Sequence, residues 1–243
     1  MISRRRADRL LVERGLFDSR AKAQAAIAAG LVTADDAPVR KASDEIPLGA
    51  ALRAEAAHPW VSRGGVKLAA ALDRFGFDPA GHVCLDVGAS TGGFTQVLLA
   101  RGARRVYAVD VGRGQLHASL REAAAVVVFE QTNIRNFDAG RLPEPPDFLV
   151  VDVSFISLKL VLPAAIALLR MPARLIALIK PQFEAGRRHL KKGIVRDPQV
   201  HAAVCEDIAG FVAAMGWTVG VVVASPIMGG DGNREFLLGA ARG

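Results

Sequence analysis

Residues 84–99, with the sequence CLDVGASTGGFTQVLL, decide the fold of this chain. The segment opens as a buried strand, passes through a glycine-containing turn and continues as a helix. In an open α/β sheet, a turn of this kind lies at the carboxyl end of its strand, where such sheets bind ligands. The shape therefore suits a small anionic or adenosine-bearing ligand.

The same alternation of strand and helix continues along the rest of the chain. Apolar strands separated by amphipathic helices are typical of a mostly parallel sheet with helices on both faces. We expect strands at residues 83–87, 105–110, 126–130, 148–153, 173–179, 217–225 and 235–240, and helices at 67–75, 93–100, 158–169 and 198–215. The predicted fold class is α/β, a doubly wound, Rossmann-like domain with a mostly parallel seven-stranded sheet.

Length and charge set limits on the function. The chain has 243 residues, enough for one large core and a small additional module, and its formal net charge is +7. A basic balance favours a polyanionic partner such as nucleic acid. The apolar runs are too short to span a bilayer, and the basic N-terminus reaches Asp8 and Glu13 instead of an apolar signal region. We therefore expect a cytoplasmic protein that does not act on membranes.

Two cysteines, Cys84 and Cys205, are present. They provide neither a metal-ligand spacing nor a disulfide framework. We interpret both as core residues and expect no metal.

The first 54 residues carry a separate pattern. Two short helices are expected at residues 6–14 and 19–29, the second capped by Ser19 and ended by Gly30, and a short hairpin follows. The segments RLLVERG and SRAKAQAAI resemble the αL RNA-binding module, although the hairpin has Asp35-Asp36 where Asn-Gly is usual. We expect an α+β RNA-binding domain at 1–54, a linker at 55–61 and the catalytic domain at 62–243. A plain helical cap is the alternative interpretation of the first domain.

The spacing of glycines narrows the choice of ligand. Gly88, Gly92 and Gly93 form G-x-x-x-G-G, which is neither a dinucleotide fingerprint nor a phosphate-binding P-loop. Asp110 can accept both ribose hydroxyls of an adenosine, and Asp86 is expected within reach of a cationic amino-acid end. S-adenosylmethionine has both features, and another nucleotide is the alternative. The predicted cofactor-binding residues are Asp86, Gly88, Ser90, Gly92, Gly93, Phe94, Asp110 and Asn133.

The next strand ends suggest the reaction. The turn VVDVSFISL lacks the Asn- or Asp-Pro-Pro-Tyr of base N-methyltransferases, and no nucleophilic cysteine stands beside a proline. Asp152 and Lys180 are instead expected to project from adjacent strands, where an unpaired buried lysine would be costly. A ribose 2′-hydroxyl needs a base beside it, a role that lysine can serve. Lys67 and Glu235 complete a candidate catalytic tetrad of Lys67, Asp152, Lys180 and Glu235. In this tetrad we expect Asp152 and Glu235 to fix the position of Lys180 and Lys67 to favour its neutral form. A purely structural ion pair is the alternative.

Residues 180–196 contain six basic side chains and one acidic side chain, a local net charge of +5. A solvated surface loop is the simple interpretation, and phosphate contact is the functional one. The predicted RNA-binding residues of the whole chain are Arg4, Arg6, Arg20, Lys22, Arg187, Arg188, Lys191 and Lys192.

Seven motifs in order, RLLVERG, SRAKAQAAI, VSRGGVKL, DVGASTGGFT, DVSFISL, KPQFE and GNREFLL, resemble the TlyA family almost from end to end. The resemblance implies a class I methyltransferase fold of the FtsJ-like type that uses S-adenosylmethionine. It also implies ribosomal RNA or ribosomal subunits as partners, with methylation of a cytidine ribose in 23S rRNA and with 16S rRNA as a second candidate.

Two other functions are weighed against this one. An RNA-binding ribosome assembly factor with little or no methyltransferase activity is the stronger alternative, because such a protein could keep the tetrad. A membrane-active hemolysin is suggested by the family's historical name. The sequence does not support it, because it shows neither a strongly amphipathic basic helix nor a spanning segment. We expect a monomer.

Overall fold

The computed structural model describes residues 3–229 and 231–243. The chain forms two compact units, Met1–Pro59 and Trp60–Gly243. The division lies inside the linker predicted at 55–61.

The first unit is a small α+β domain. Two helices pack on short antiparallel strands, and their apolar faces form a core that includes Leu10, Leu11 and Ile27. The hairpin turn places Asp35 and Asp36 at φ 49° and φ 63°, the conformation that Asn-Gly usually supplies and that aspartate tolerates better than most residues. Its elements are β1 (Arg4–Arg6), α1 (Ala7–Glu13), α2 (Arg20–Ala28), β2 (Val32–Ala34), β3 (Ala37–Pro38), β4 (Glu45–Pro47) and β5 (Leu52–Ala54).

The second unit is a doubly wound α/β domain. Its helices are α3 (Gly64–Phe75), α4 (Gly93–Ala100), α5 (Ala118–Arg121), α6 (Leu158–Ile166), α7 (Pro181–Glu184) and α8 (Pro198–Ala214). Its strands are β6 (Val83–Val87), β7 (Arg105–Val109), β8 (Val126–Phe129), β9 (Phe148–Val151), β10 (Ala173–Ile179), β11 (Thr218–Val219), β12 (Val223–Ala224) and β13 (Phe236–Arg242).

The strand order is β11-β13-β10-β9-β6-β7-β8, with β12 also paired to β13. Strands β10, β9, β6, β7 and β8 are parallel, and β13 runs antiparallel to β10. The chain starts at β6, moves outward through β7 and β8, then returns to β9 on the other side. The switch point between β6 and β9 is where an open sheet of this kind binds ligands.

The strand predicted at 217–225 is interrupted. In β11, Val219 pairs with Ala240, whereas in β12, Val223 pairs with Leu237, so the edge strand gains one residue relative to its partner. The extra residue is a β-bulge, a common feature of sheet edges. The sheet therefore has eight strands in seven positions, not seven continuous strands.

Three predicted strands end early. β7, β8 and β9 end at Val109, Phe129 and Val151, while the prediction extended them through Asp110, Glu130 and Val153. The Asp110 and Glu130 carboxylates accept hydrogen bonds from loop N–H groups, so these residues belong to the loops above the sheet.

The two faces of the sheet bury separate cores. Val83, Leu85 and Val87 of β6 face the α6 and α8 side, and Cys84 faces the α3 and α4 side. Because side chains alternate along a strand, Asp86 shares the face of Cys84.

Candidate active site

A cleft of about 470 Å³ opens at the carboxyl ends of β6, β7 and β9. Four of the predicted cofactor-binding residues line it: Gly88, Ser90, Asp110 and Asn133. Asp152 lines it as well, together with apolar side chains that include Val111 and Ile134. The cleft therefore combines an apolar wall with two carboxylates at the switch point of the sheet.

Gly88 allows the loops after β6 and β9 to approach each other. It has φ +87°, and a Cβ at this position would collide with the backbone carbonyl oxygen of Asp152. A glycine is required here for both reasons. The turn after β6 thus lies close enough to Asp152 for both to line one cleft.

Asp110 is held by the backbone of two loops. The Ser90 N–H donates to Oδ2 at 2.8 Å, and the Gly112 N–H donates to Oδ1 at 2.6 Å. Ser90 itself has φ 48°. Each carboxylate oxygen can accept a further hydrogen bond, so Asp110 is a fixed acceptor for hydroxyl groups in the cleft.

Asn133 lines the same cleft as Asp110. Its Oδ1 accepts from the Arg135 N–H at 3.1 Å, which caps the short helix that follows. The side-chain NH₂ group can therefore serve as a donor.

Asp86 lies in the core rather than in the cleft. Its side chain is 0% exposed and accepts a 2.6 Å hydrogen bond from Thr95 Oγ1 of α4. Burial raises the pKa of Asp86 to about 7. The sequence interpretation overlooked strand alternation, which turns this side chain toward α4; Asp152 is the carboxylate that reaches the cleft.

The remaining predicted cofactor residues, Gly92, Gly93 and Phe94, also serve packing. A Cβ on Gly93 would lie 2.9 Å from the backbone N of Gly65, because the first turns of α4 and α3 cross there. Phe94 is 3% exposed in the core between these helices. Gly92 packs against Leu116 and Leu120. Gly92 and Gly93 thus permit close packing around the start of α4.

Lys180 and Asp152 form an ion pair at the end of the sheet. Lys180 Nζ lies 2.6 Å from Asp152 Oδ1 and donates to Ser154 Oγ at 2.8 Å. The two side chains are 10% and 18% exposed. They come from the ends of adjacent parallel strands, β10 and β9, as the sequence predicted.

Lys67 and Glu235 form a second pair. The Lys67 ammonium contacts Glu235 Oε2, with the two side chains 8% and 4% exposed. Glu235 directly precedes β13, whose start lies beside the end of β10 in the antiparallel register. Glu235 is expected to help to fix the position of Lys180, but its carboxylate pairs with Lys67, so any effect on Lys180 is indirect. The Glu235 carboxylate also neutralises the positive charge of Lys67, and it was through this charge that Lys67 was expected to favour the neutral form of Lys180.

Sequence reasoning missed three residues of the DVSFISL and KPQFE motifs. Ser154 bonds Lys180, and Phe155 is 90% exposed at φ 66° in the cleft lining, with its ring 5.1 Å from that of Phe183. Glu184 accepts from Ser157 Oγ at 2.6 Å and from the Leu158 N–H, which ties the two loops together. Both motifs are visible in the sequence, but from sequence a role was assigned only to Asp152 and Lys180 in them.

The basic loop, residues 180–196, is fastened to the segment that directly precedes Glu235. The buried Asn233 side chain donates to the Gly193 carbonyl at 3.0 Å and accepts from the Val195 N–H at 3.1 Å. His201 also contacts the Val195 carbonyl at 3.0 Å. The four predicted RNA-binding residues of this loop are exposed: Arg187, Arg188, Lys191 and Lys192.

The predicted RNA-binding residues of the first unit are partly engaged within the unit. Arg6 and Arg20 both pair with the buried Asp8, and Lys22 pairs with Asp18 at 2.8 Å. Arg4 is exposed and donates to the Glu45 carbonyl. These side chains therefore do not act as isolated surface charges.

Comparison with known proteins identifies the family. The FtsJ-like methyltransferase model matches residues 60–242, and the S4 domain model matches residues 5–52. The 16S/23S rRNA (cytidine-2′-O)-methyltransferase TlyA of Mycobacterium tuberculosis is 44% identical over 98% of this chain and 90% of its own length. The chain belongs to the TlyA family. YqxC of Bacillus subtilis, described as a candidate rRNA methyltransferase, is 48% identical over 96% of this chain and 84% of its own length.

A solved structure agrees with this TlyA-family fold. A protein of Streptococcus thermophilus, described as a candidate hemolysin, superposes with a TM-score of 0.78 and 41% identity, covering 100% of this chain and 90% of its own. More distant S-adenosylmethionine-dependent methyltransferase structures, such as one from Listeria monocytogenes at 14% identity and TM-score 0.53, share the fold. The predicted α/β class I methyltransferase fold with an N-terminal RNA-binding-type domain is confirmed.

Neither a membrane-spanning helix nor a cluster of metal ligands occurs within residues 3–229 and 231–243. No helix in this part of the TlyA-family chain is long and apolar enough to cross a membrane. Its His, Cys, Asp and Glu side chains form no group of three or more that could hold a metal ion.

Proposed function

We propose that this chain transfers a methyl group from S-adenosylmethionine to a ribose 2′-hydroxyl of cytidine in ribosomal RNA. The observation that carries the proposal is the Lys180–Asp152 pair at the rim of the cleft, 2.6 Å apart and fixed by Ser154. The names of the curated TlyA relatives supply the substrate: 23S rRNA, and 16S rRNA in some of them. An assembly factor without activity is less favoured, because a protein that only binds RNA has no need of a lysine paired with a carboxylate that lines a cofactor-sized cleft.

The residues present fit the cofactor. The cleft volume of about 470 Å³ lies within the range of small-molecule sites. Asp110 offers two fixed acceptor oxygens for ribose hydroxyls, and Val111 and Ile134 offer apolar surface for a base. Asp152 offers a carboxylate for the cationic amino-acid end, and Gly88 keeps the nearby backbone free of a side chain.

S-adenosylmethionine supplies an electrophilic methyl group when it is bound. The protein has to orient the target hydroxyl and take up its proton, because a neutral ribose hydroxyl is a weak nucleophile. We assign uptake of the hydroxyl proton to Lys180 Nζ, which first releases one of its own protons to water. Asp152 and Ser154 fix the position of the amine. Lys67 and Glu235 act as a neutral pair that holds the start of β13 beside Lys180.

Cationic side chains on both units would hold the RNA through its phosphates. We propose this role for Arg187, Arg188, Lys191 and Lys192 of the basic loop, and for Arg4, Arg6, Arg20 and Lys22 of the first unit. Such contacts orient an RNA without reading its sequence. We further propose that the protein acts in the cytoplasm as a monomer.

Tritiated-methyl transfer to separated ribosomal subunits tests the proposal. Label should enter the RNA of a subunit, and mapping should place it at an alkali-resistant position, because a 2′-O-methyl group blocks strand cleavage at that nucleotide. A protein that binds neither S-adenosylmethionine nor subunits would contradict the proposal, as would label that enters only bases.

A further inference from the structure

The first unit contains a buried carboxylate that two predicted RNA-binding arginines share. Asp8, on α1, is 0% exposed. Its Oδ1 accepts from Arg6 Nε at 3.1 Å, and its Oδ2 accepts from Arg20 Nη2 at 2.6 Å and from Gln24 Nε2 at 2.8 Å. Burial alone would oppose ionisation, but these donors outweigh it and hold the pKa of Asp8 well below its usual range. The group is therefore a carboxylate at any pH at which the protein works.

Both arginines keep donors for another partner. Each uses Nε and Nη2 toward Asp8, while its side chain stays 41% exposed in Arg6 and 49% exposed in Arg20. A guanidinium carries five N–H donors in a rigid plane, so each retains the donors of Nη1. Such donors suit the oxygens of a phosphate, which arginine binds with defined geometry.

We propose that Asp8 is a positioning residue that holds Arg6 and Arg20 side by side, so that together they grip the phosphate backbone of RNA. This inference rests on the proposed function, whose RNA substrate it assumes, and adds a cause for the arrangement of the basic face. Two guanidinium groups and one carboxylate leave a single net positive charge. The contribution of Asp8 is therefore geometric, because its own charge repels the RNA.

The direction in which one substitution changes RNA affinity distinguishes a positioning role from a charge effect. Asp8→Asn and Glu13→Gln each remove one negative charge from α1; Glu13 is a matched control because it is 47% exposed and pairs with Arg5 instead. If charge alone mattered, both variants would bind RNA more tightly. We expect Glu13→Gln to bind as well as wild type or slightly better, and Asp8→Asn to bind about ten- to a hundredfold more weakly.

A second pair of variants covers the case in which Asp8→Asn unfolds the first unit. Arg20→Lys keeps the charge but replaces a planar fork with a single ammonium, which cannot hold Asp8 and a phosphate in the same way. Arg9→Lys is its control, since Arg9 is exposed on α1, the helix that carries Asp8, and is not among the side chains that bond to Asp8. We expect Arg20→Lys to weaken RNA binding about tenfold or more and Arg9→Lys to leave it unchanged.

The measurement is fluorescence anisotropy of a labelled RNA hairpin titrated with full-length protein at several salt concentrations, with thermal unfolding followed on the same samples. Weaker binding by folded Asp8→Asn, or by Arg20→Lys where Asp8→Asn is unfolded, supports the inference. Equal or tighter binding by folded Asp8→Asn, or wild-type binding by Arg20→Lys, overturns it. Methyl transfer by wild-type protein, measured separately on subunits, reports on the proposed function, so the two failures are distinguishable.

Discussion

Lys67 of α3 and Glu235, the residue directly before β13, form a buried ion pair, with side chains 8% and 4% exposed. The pair joins a helix on one face of the sheet to the strand beside Lys180. The pair as a whole carries no net charge, whereas either partner alone would place an uncompensated charge in the protein interior.

Glu235→Gln should therefore destabilise the protein. Removing one member of a buried ion pair leaves an uncompensated charge and costs about 3 to 5 kcal/mol of the free energy of unfolding. The double variant Lys67→Met/Glu235→Gln should recover a large part of that loss, because no charge stays buried. Urea unfolding of the two single variants, the double variant and wild type measures the coupling. Additive effects of the two single substitutions would contradict a direct pair.

Lys180→Arg should retain cofactor and RNA binding but lose methyl transfer. Arginine keeps the positive charge and cannot deprotonate near neutral pH, so loss of a general base predicts a decrease of roughly 10² to 10⁴ in rate. Single-turnover transfer against pH measures it, for this variant and for Lys159→Arg as a control at an exposed pair with Asp207. An active Arg variant would show that Lys180 acts only through its field.

Asp110→Asn should weaken binding of S-adenosylmethionine. The substitution removes the charge and one acceptor that face the cleft, a loss of about 1.5 to 3 kcal/mol for hydrogen bonds to a charged group. Calorimetric titration should show this loss, whereas Asp73→Asn, on an exposed surface pair, should bind as wild type does. The assignment of Asp110 fails if both variants bind equally.

Asp86 should make the protein less stable as pH rises. Its pKa is raised by burial to about 7, whereas a carboxyl group in an unfolded chain titrates near pH 4. Between these values the folded protein keeps a proton that the unfolded chain releases. The free energy of unfolding should therefore fall by roughly 1.4 kcal/mol per pH unit across most of this window and level off above it.

The matched variant is Asp86→Asn, which keeps an acceptor for Thr95 and has no proton to lose. Denaturant unfolding at several pH values should give a flatter profile for this variant than for wild type. Parallel profiles for the two proteins would show that Asp86 is not the source of the slope.

The alternation of apolar strands and helices was enough to predict the fold, because each strand of a parallel sheet is buried on both faces. Strand ends were enough to bring Asp152 and Lys180 together, since neighbouring parallel strands end at one edge. The partner of Glu235 was not predictable in this way, because it depends on how α3 packs. Asp86 was assigned to the cofactor site because it lies in the glycine-containing motif. The alternation of side chains along β6 instead points it toward Thr95 of α4. The bulge in the edge strand has no clear sequence signal beyond Gly220.

The central claim is that this protein methylates a ribose hydroxyl and that Lys180 takes up its proton. Mass spectrometry of nucleosides from ribosomal RNA, after unmodified subunits are incubated with S-adenosylmethionine and either wild-type protein or Lys180→Ala, tests it most directly. We predict a new 2′-O-methylcytidine with wild type and none above background with the variant, while both proteins bind the subunits equally. Methylation on a base, or equal 2′-O-methylcytidine from both proteins, would contradict the account.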